Sequence, residues 1–371
     1  MAQYIADAKR HQRELQNKLV AALELLHNCA KNQEEAVERI RNRLNGQSPR
    51  LRSGVPTKES ADLGFESKPD NLNYQLTASD GSQIIPSPHD EISVGLINTS
   101  HVSYTPGSGQ QPDVMIQSDF IRDANGRIEM GGLSEDLVNL KRDLQEMLIL
   151  SEWHAAGSHP IIALGDGPLE LFHQPQKDES ITKNFEIYRN TLREIVYKGL
   201  ILAGYTDKPR AKLVTKMLSL SAEHEADLTG LEDTTLFNAL LQPGQRSAIF
   251  ELFSPSSEQY EGDIKLFFFY LQVGYTRHPW TVRVETSEAV ASVPKKVNLL
   301  HQALLAQCSL MGSRPYPYIL HRAHEEAVIS FDEKEQLIQR LAAALRQEGV
   351  ILPGKSFKQA AKNLKTRTRM K

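Results

Sequence analysis

The run TASDGSQIIPSPHDEISVGLINTSHV, residues 77–102, poses one question for the whole chain. A β-type segment rises through residues 74–78, then a carboxylate arrives at Asp80 with Gly81 and Ser82 directly behind it. A second β-type segment covers residues 92–104, and the PSPHDE between the two is turn material. An aspartate inside a buried strand costs on the order of several kcal/mol unless it is paired or holds a metal. The competing reading of Asp80-Gly81 is an ordinary turn dipeptide.

Downstream, a third β-type segment at residues 114–121 follows the turn TPGSGQQPD, so the opening strands read as antiparallel. Residues 130–154, MGGLSEDLVNLKRDLQEMLILSEWH, read as a helix whose start Ser134 would cap. Ile161, Ile162, Ala163 and Leu164 form an unalternated apolar run, the texture of a central strand. Residues 185–203 read as helix, and GYTDKPRAKLVTKML opens another just past a loop. Strands are expected at 247–253, 264–273 and 280–285, and helices at 298–309, 321–327 and 332–347. The order makes the chain α/β, and it contains no repeat.

Upstream, Leu19, Leu23, Leu26, Val37, Ile40 and Leu44 recur at helical spacing, which predicts an N-terminal helical extension over residues 1–45. Residues 46–72 are rich in Gly, Pro, Ser and charge and read as a flexible linker. The main domain is expected over 73–350. A basic tail fills 351–371, where Lys355, Lys358, Lys362, Lys365, Arg367, Arg369 and Lys371 meet no acid. That tail is either a solvated end or a phosphate-binding arm without sequence preference.

Composition sets the bounds. The 371 residues are 40% hydrophobic and 24% charged with a net charge of -3, an ordinary soluble balance that allows one or two domains. No apolar run reaches the roughly 18 residues of a membrane helix, IKLFFFYLQVG being the strongest. The first twenty residues carry acids and no compact apolar core, unlike a secretory signal. The two cysteines, Cys29 and Cys308, sit beside apolar residues and read as reduced core residues of a cytoplasmic protein. Phe237, Phe250, Phe253 and the LFFFY run at 266–270 read as core rather than an exposed stacking platform.

Chemistry concentrates on carboxylates. Asp166 follows the 161–164 strand and, like Asp80, precedes a glycine. Two strands delivering Asp-Gly at their ends would bring both carboxylates to one sheet edge, where they repel unless a cation lies between them. Hard oxygen donors of this kind select Mg²⁺ or Mn²⁺. The helix between them carries Glu146, with Glu152 as the alternative, and either would lean into the same pocket if the helix packs on the sheet. Lys208 and Arg210, beside Pro209 at a helix start, suit a phosphate backbone or are solvated charge. There is no Walker A, dinucleotide, CxxC, HExxH or GxSxG pattern. The residues alone thus reach metal-dependent phosphoryl or phosphodiester chemistry.

SDGSQIIP, a helix with a central Glu, IIALGDGPL, LAGYTDKPR and finally RPYPYILHRAH occur in that order between Tyr74 and Ile329. The series resembles the NurA nuclease family. The resemblance implies an RNase H-like mixed sheet with flanking helices and Mn²⁺-dependent hydrolysis of DNA, with Mg²⁺ an alternative and two ions per site. It implies 5′ to 3′ exonuclease action on single- and double-stranded DNA with endonuclease action on single strands. It also implies a homodimer that docks on a hexameric HerA-type ATPase in end resection. Carried onto this sequence, the metal ligands would be Asp80, Glu146, Asp166 and His324, with Tyr316 completing the catalytic set and Lys208 matching a basic loop position. The rival from another class is an inactive scaffold or DNA-binding relative that docks on such an ATPase.

Overall fold

The computed structural model describes residues 1–46, 51–67, 73–86, 92–122, 128, 134–153, 159–171, 179–275 and 277–352. The basic tail from Lys355 onward lies outside these residues. One end of the sheet is made of β2 (Gln75–Ile84), β3 (Leu96–Tyr104) and the edge strand β4 (Asp113–Phe120), consecutive and antiparallel as expected. On the other side of β2 lie β5 (Ile161–Asp166) and β6 (Ile201–Thr206), both parallel to it in the order β2-β5-β6. Three antiparallel strands followed by two parallel ones form the RNase H-like core.

The sheet continues through β9 (Thr281–Ser287), β8 (Leu266–Gln272), β7 (Phe250–Phe253) and finally β1 (Ser53–Pro56), all antiparallel. Among the described residues the full order is β1-β7-β8-β9-β6-β5-β2-β3-β4.

Alternation along these strands feeds two cores. Ile161 and Ala163 of β5 join one apolar cluster, and Ile162 and Leu164 join the other. The first is roofed by α1 (Ala2–Lys31), α2 (Gln33–Gly46), α3 (Glu135–Glu152), α4 (Glu179–Tyr197), α5 (Leu213–Ser221) and α6 (Asp233–Leu240). The second lies under α7 (Glu288–Ala291), α8 (Pro294–Ser309) and α9 (Tyr318–Ala327). Covering both faces explains why β5 reads as a continuous apolar run. A last helix, α10 (Phe331–Gln347), opens on a Ser330–Glu333 capping box and closes over Ile92 and Val94.

Three expectations are corrected. Part of the segment read as a linker is β1, whose Gly54 lets the Phe268 ring approach to 3.1 Å of where a Cβ would stand. The helix read over 185–203 ends at Tyr197, because Gly199 takes φ +79 and Leu200 then starts a buried approach to β6. The strand read as stopping at Ala78 runs on to Ile84, held by β3 through Ile84↔Leu96, so Asp80-Gly81 is not a turn. Most of the aromatic set is core as expected: Phe237, Phe250, Phe268, Phe269 and Tyr270 are fully enclosed, whereas Phe253 and Phe267 are half-buried.

Candidate active site

Strand β2 presents two chemistries. Leu76 and Ala78 face the α9 side and so, by alternation, do Asp80 and Ser82, whereas Ser79 and Gly81 face α3. The Ser79 hydroxyl donates to the Glu146 carbonyl at 2.9 Å, and Gln83 Nε2 donates to Asn139 Oδ1 at 2.9 Å. These bonds lay α3 antiparallel along β2. Ser134 caps α3 as the sequence suggests, accepting from the Leu137 N–H at 3.2 Å.

Gly81 is what lets Glu146 reach the strand. A Cβ there would stand 2.7 Å from Glu146 Oε1 and 2.7 Å from Arg142 Cγ. The glutamate carboxylate therefore occupies the space that any larger residue would take.

On the opposite face, α9 is bolted to the sheet. Asn98 Nδ2 donates to the Ala327 carbonyl at 2.8 Å, Ser82 donates to the same carbonyl, and Ser100 donates to the Ala323 carbonyl. The bolts place His324, in the last turn of α9, with Nδ1 2.7 Å from Asp80 Oδ2. Asp80 is itself 7% exposed, so the imidazole is the partner its burial requires.

Asp166 closes β5, and Gly167 at φ +100 turns the chain away. Tyr316 neighbours Asp166, and its ring packs edge-on against Tyr205 at 5.5 Å between centroids. The loop beyond is held firmly: buried Glu285 accepts the Leu169 N–H at 2.9 Å and the Glu170 N–H at 3.2 Å, and Tyr188 donates to the Leu169 carbonyl at 3.0 Å. A cleft of about 240 Å³ opens between this loop and α3, lined by Arg142, Glu146 and Asp166 among others.

The carboxylates repel one another. Burial pushes the Glu146 carboxyl well above the usual range, and the charges of Asp143, Asp80 and Asp166 push it further, against the pull of Arg142. Asp166 is open to water on one side, yet partial desolvation and then Asp80 raise its carboxyl too, while Tyr316 and His324 act the other way. The Tyr316 phenol is raised by burial and by its carboxylate neighbour. Arg142 supplies the countercharge, with Nε 3.3 Å from Glu146 Oε1 and Nη2 2.7 Å from Asp143 Oδ1.

The donor set fits a hard divalent cation: three carboxylates and an imidazole near one end of the sheet, with mutual repulsion that positive charge would relieve. Among the described residues, no three His, Cys, Asp or Glu side chains stand close enough to enclose an ion as placed. Arg142 and His324 engage the carboxylates instead.

The sequence-derived residues divide clearly. Asp80, Glu146, Asp166, Tyr316 and His324 converge, although β2, α3, β5 and α9 span the main domain. Glu152 is exposed six residues further along α3, about 9 Å down the helix axis, and does not take part. Lys208 and Arg210 are exposed in the loop after β6.

Two neighbours went unread. Arg142 lies four residues before Glu146, a spacing that puts both on one helix face and was available as a signal. Asp207, whose charge acts on both Asp166 and Tyr316, sits in an unremarkable turn and gave none.

The NurA domain family matches residues 74–329, more than half of the chain. The chain belongs to the NurA family. Its NurA segment runs from β2 to just past α9 and holds all five converging residues, leaving α1, α2, β1 and α10 outside. The crystal structure of the NurA nuclease from Sulfolobus solfataricus aligns with a TM-score of 0.55 at 15% identity, covering 86% of this chain and 95% of that one. The catalytic domain of human endonuclease V aligns with a TM-score of 0.35 at 14% identity, covering 84% of this chain and 98% of that one. No curated protein matches the sequence. No helix among the described residues of this NurA chain is long and apolar enough to cross a membrane.

Proposed function

We propose that this chain is a metal-dependent deoxyribonuclease that hydrolyses phosphodiester bonds, with Asp80, Glu146, Asp166 and His324 holding the cations. The observation that carries the reading is the convergence of three mutually repelling carboxylates, with His324 bonded to Asp80 and Tyr316 beside Asp166. Bound divalent cations would supply positive charge at the scissile phosphate and lower the pKa of the attacking water. Asp80 and Glu146 approach Gly81 from opposite faces of β2, so both would help to hold a cation near it. Tyr316, beside Asp166, would orient that carboxylate. His324, held through Nδ1, leaves its other ring nitrogen for a cation or a proton. Lys208 and Arg210 supply charge for the DNA backbone from the loop beside Asp207.

Family membership supports the finer features. These are Mn²⁺ as the preferred ion with Mg²⁺ as the alternative, two ions per site, 5′ to 3′ exonuclease action on single- and double-stranded DNA, and endonuclease action on single strands. They extend to a homodimer, a HerA-type hexameric ATPase as partner in DNA end resection, and a cytoplasmic setting. The test is cleavage of 5′- and 3′-labelled DNA, single- and double-stranded, with Mn²⁺, Mg²⁺ or EDTA, beside Asp80→Ala. Mn²⁺-dependent product that vanishes in the variant supports the nuclease, and the two labels read its direction. An Asp80→Ala protein that cuts normally sinks the assignment. A wild-type chain silent even with the ATPase added would instead be a scaffold or DNA-binding protein.

A further inference from the structure

Strand β8 ends and β9 begins at the end of the sheet where the carboxylates lie, and Tyr275 and His278 bridge between them. The base of this connection is pinned: buried Gln272 accepts the Gly274 N–H at 3.1 Å and the Trp280 N–H at 2.7 Å through Oε1, and Val273 donates to the Trp280 carbonyl at 3.0 Å. Gly274 has no room for a side chain, since a Cβ would meet Trp280 N at 2.4 Å. On this rigid base Tyr275 is 55% exposed and Trp280 39% exposed. The Trp280 indole N–H donates to Asp207 Oδ1 at 3.0 Å, and the Tyr275 hydroxyl donates to the Gly312 carbonyl at 2.9 Å. Both rings are therefore anchored at their polar tips, which lowers the cost of ordering them against a ligand.

Their place relative to the carboxylates follows from register. Asp166 pairs with Tyr205, and Asp207 lies two residues further on, just past the end of β6, with β9 the next strand over. Two strand spacings across the sheet, about 10 Å, separate β5 from β9. Lys208 and Arg210 follow Asp207 in the chain and Arg314 follows Gly312, all three are exposed, and among the described residues none of them is ion-paired. Exposed, anchored aromatics among free cations suit a flexible polyanion whose bases have open faces. A duplex, its bases already stacked, offers the rings nothing.

We propose that Trp280 and Tyr275 form a stacking platform for unpaired bases of single-stranded DNA, a few nucleotides from the bond held at the carboxylates. The platform rests on the nuclease reading above for its substrate, and it adds a subsite that the converging carboxylates do not require.

The chain has two tryptophans, and Trp153 is half-buried against His101, so quenching of intrinsic fluorescence by an oligothymidylate in EDTA reports chiefly on Trp280. Quenching is expected in the native chain and in Asp80→Ala. Trp280→Ala should weaken binding of the oligonucleotide roughly 5- to 100-fold, the span of one lost base stack. Trp280→Phe should stay within a few-fold of wild type, and Tyr275→Ala should weaken binding in the same direction. Duplex affinity should not change. Should Trp280→Ala fail to fold, the quench and the Tyr275→Ala affinity still decide. Absence of quenching, undiminished binding by Trp280→Ala, or Trp280→Phe binding as weakly as the alanine variant overturns the platform. An Asp80→Ala chain that cuts normally defeats the nuclease reading and leaves these binding results standing, so the two failures are distinguishable.

Discussion

Nδ1 of His324 lies 2.7 Å from Oδ2 of Asp80, across 244 residues of sequence. The imidazole is largely open to water, with 60% of its side chain exposed, so little packing depends on it. His324→Gln should therefore keep the melting temperature within a few degrees while slowing DNA cleavage about 100-fold or more. Cleavage rates with Mn²⁺ beside a thermal melt check this, and a variant that cuts at the native rate would remove His324 from the site.

Gly81 gives a sharper test of geometry. Alanine there would press its Cβ into Glu146 Oε1, so one of the two must shift by several tenths of an ångström. Gly81→Ala should lose on the order of 10- to 100-fold in cleavage rate, because sub-ångström misplacement of a ligand is costly. Paired rates and melts would show the loss. Full activity would mean that Glu146 does not act from the position seen.

Arg142 is the countercharge of the cation-free site. Removing it in Arg142→Gln leaves Glu146 and Asp143 without their closest positive partner, at a cost of about 1–3 kcal/mol. Added Mn²⁺ or Mg²⁺ would take over that role. The variant should melt lower than wild type in EDTA and gain more on adding the ion. Equal gains in the two proteins would show that Arg142 and the cation do not share a place.

A pH effect should come from outside the site. His301 is buried, its Nε2 lies 2.8 Å from the Gly244 carbonyl, and burial drives its pKa from 6.5 down to about 4. The unfolded chain takes up a proton at this residue below pH 6.5, whereas the folded chain resists until about 4. Stability from this residue is thus complete above the unfolded value and declines as pH falls through that window, by on the order of 2–3 kcal/mol. His301→Gln should show a flatter decline of melting temperature between pH 7 and 4, with other groups cancelling in the comparison. Parallel curves would mean that His301 is not held neutral.

Much of this was readable in advance, and the exceptions have physical causes. The opening β-type runs bounded by turn segments, the capped α3 and the apolar β5 each announce themselves locally. The carboxylates were found because Asp-Gly and a central Glu are chemically conspicuous. Strand β6 was missed because a buried parallel strand has the same apolar texture as a buried helix, and only Gly199 marks the boundary. Strand β1 was missed because its four residues gain their stability from Phe250 and Phe268, far away in sequence. Asp80 was misplaced to a strand end because the ladder that continues past it is supplied by β3. Arg142 was overlooked because a surface-type arginine declares a role only when its neighbours are known.

The pairing of Ser53 with Phe253 also sets a timetable for synthesis. At ribosomal rates of about 5–20 residues per second, roughly 10–40 s pass between the making of β1 and of its partner strand. Through that interval the first helices and β1 must wait with apolar faces uncovered, while the segment carrying Asp80, Glu146 and Asp166 can already begin to assemble. Nascent chains should therefore depend on holding chaperones at their leading end, and synonymous changes that slow translation between β1 and β7 should raise the aggregated fraction without altering the finished protein.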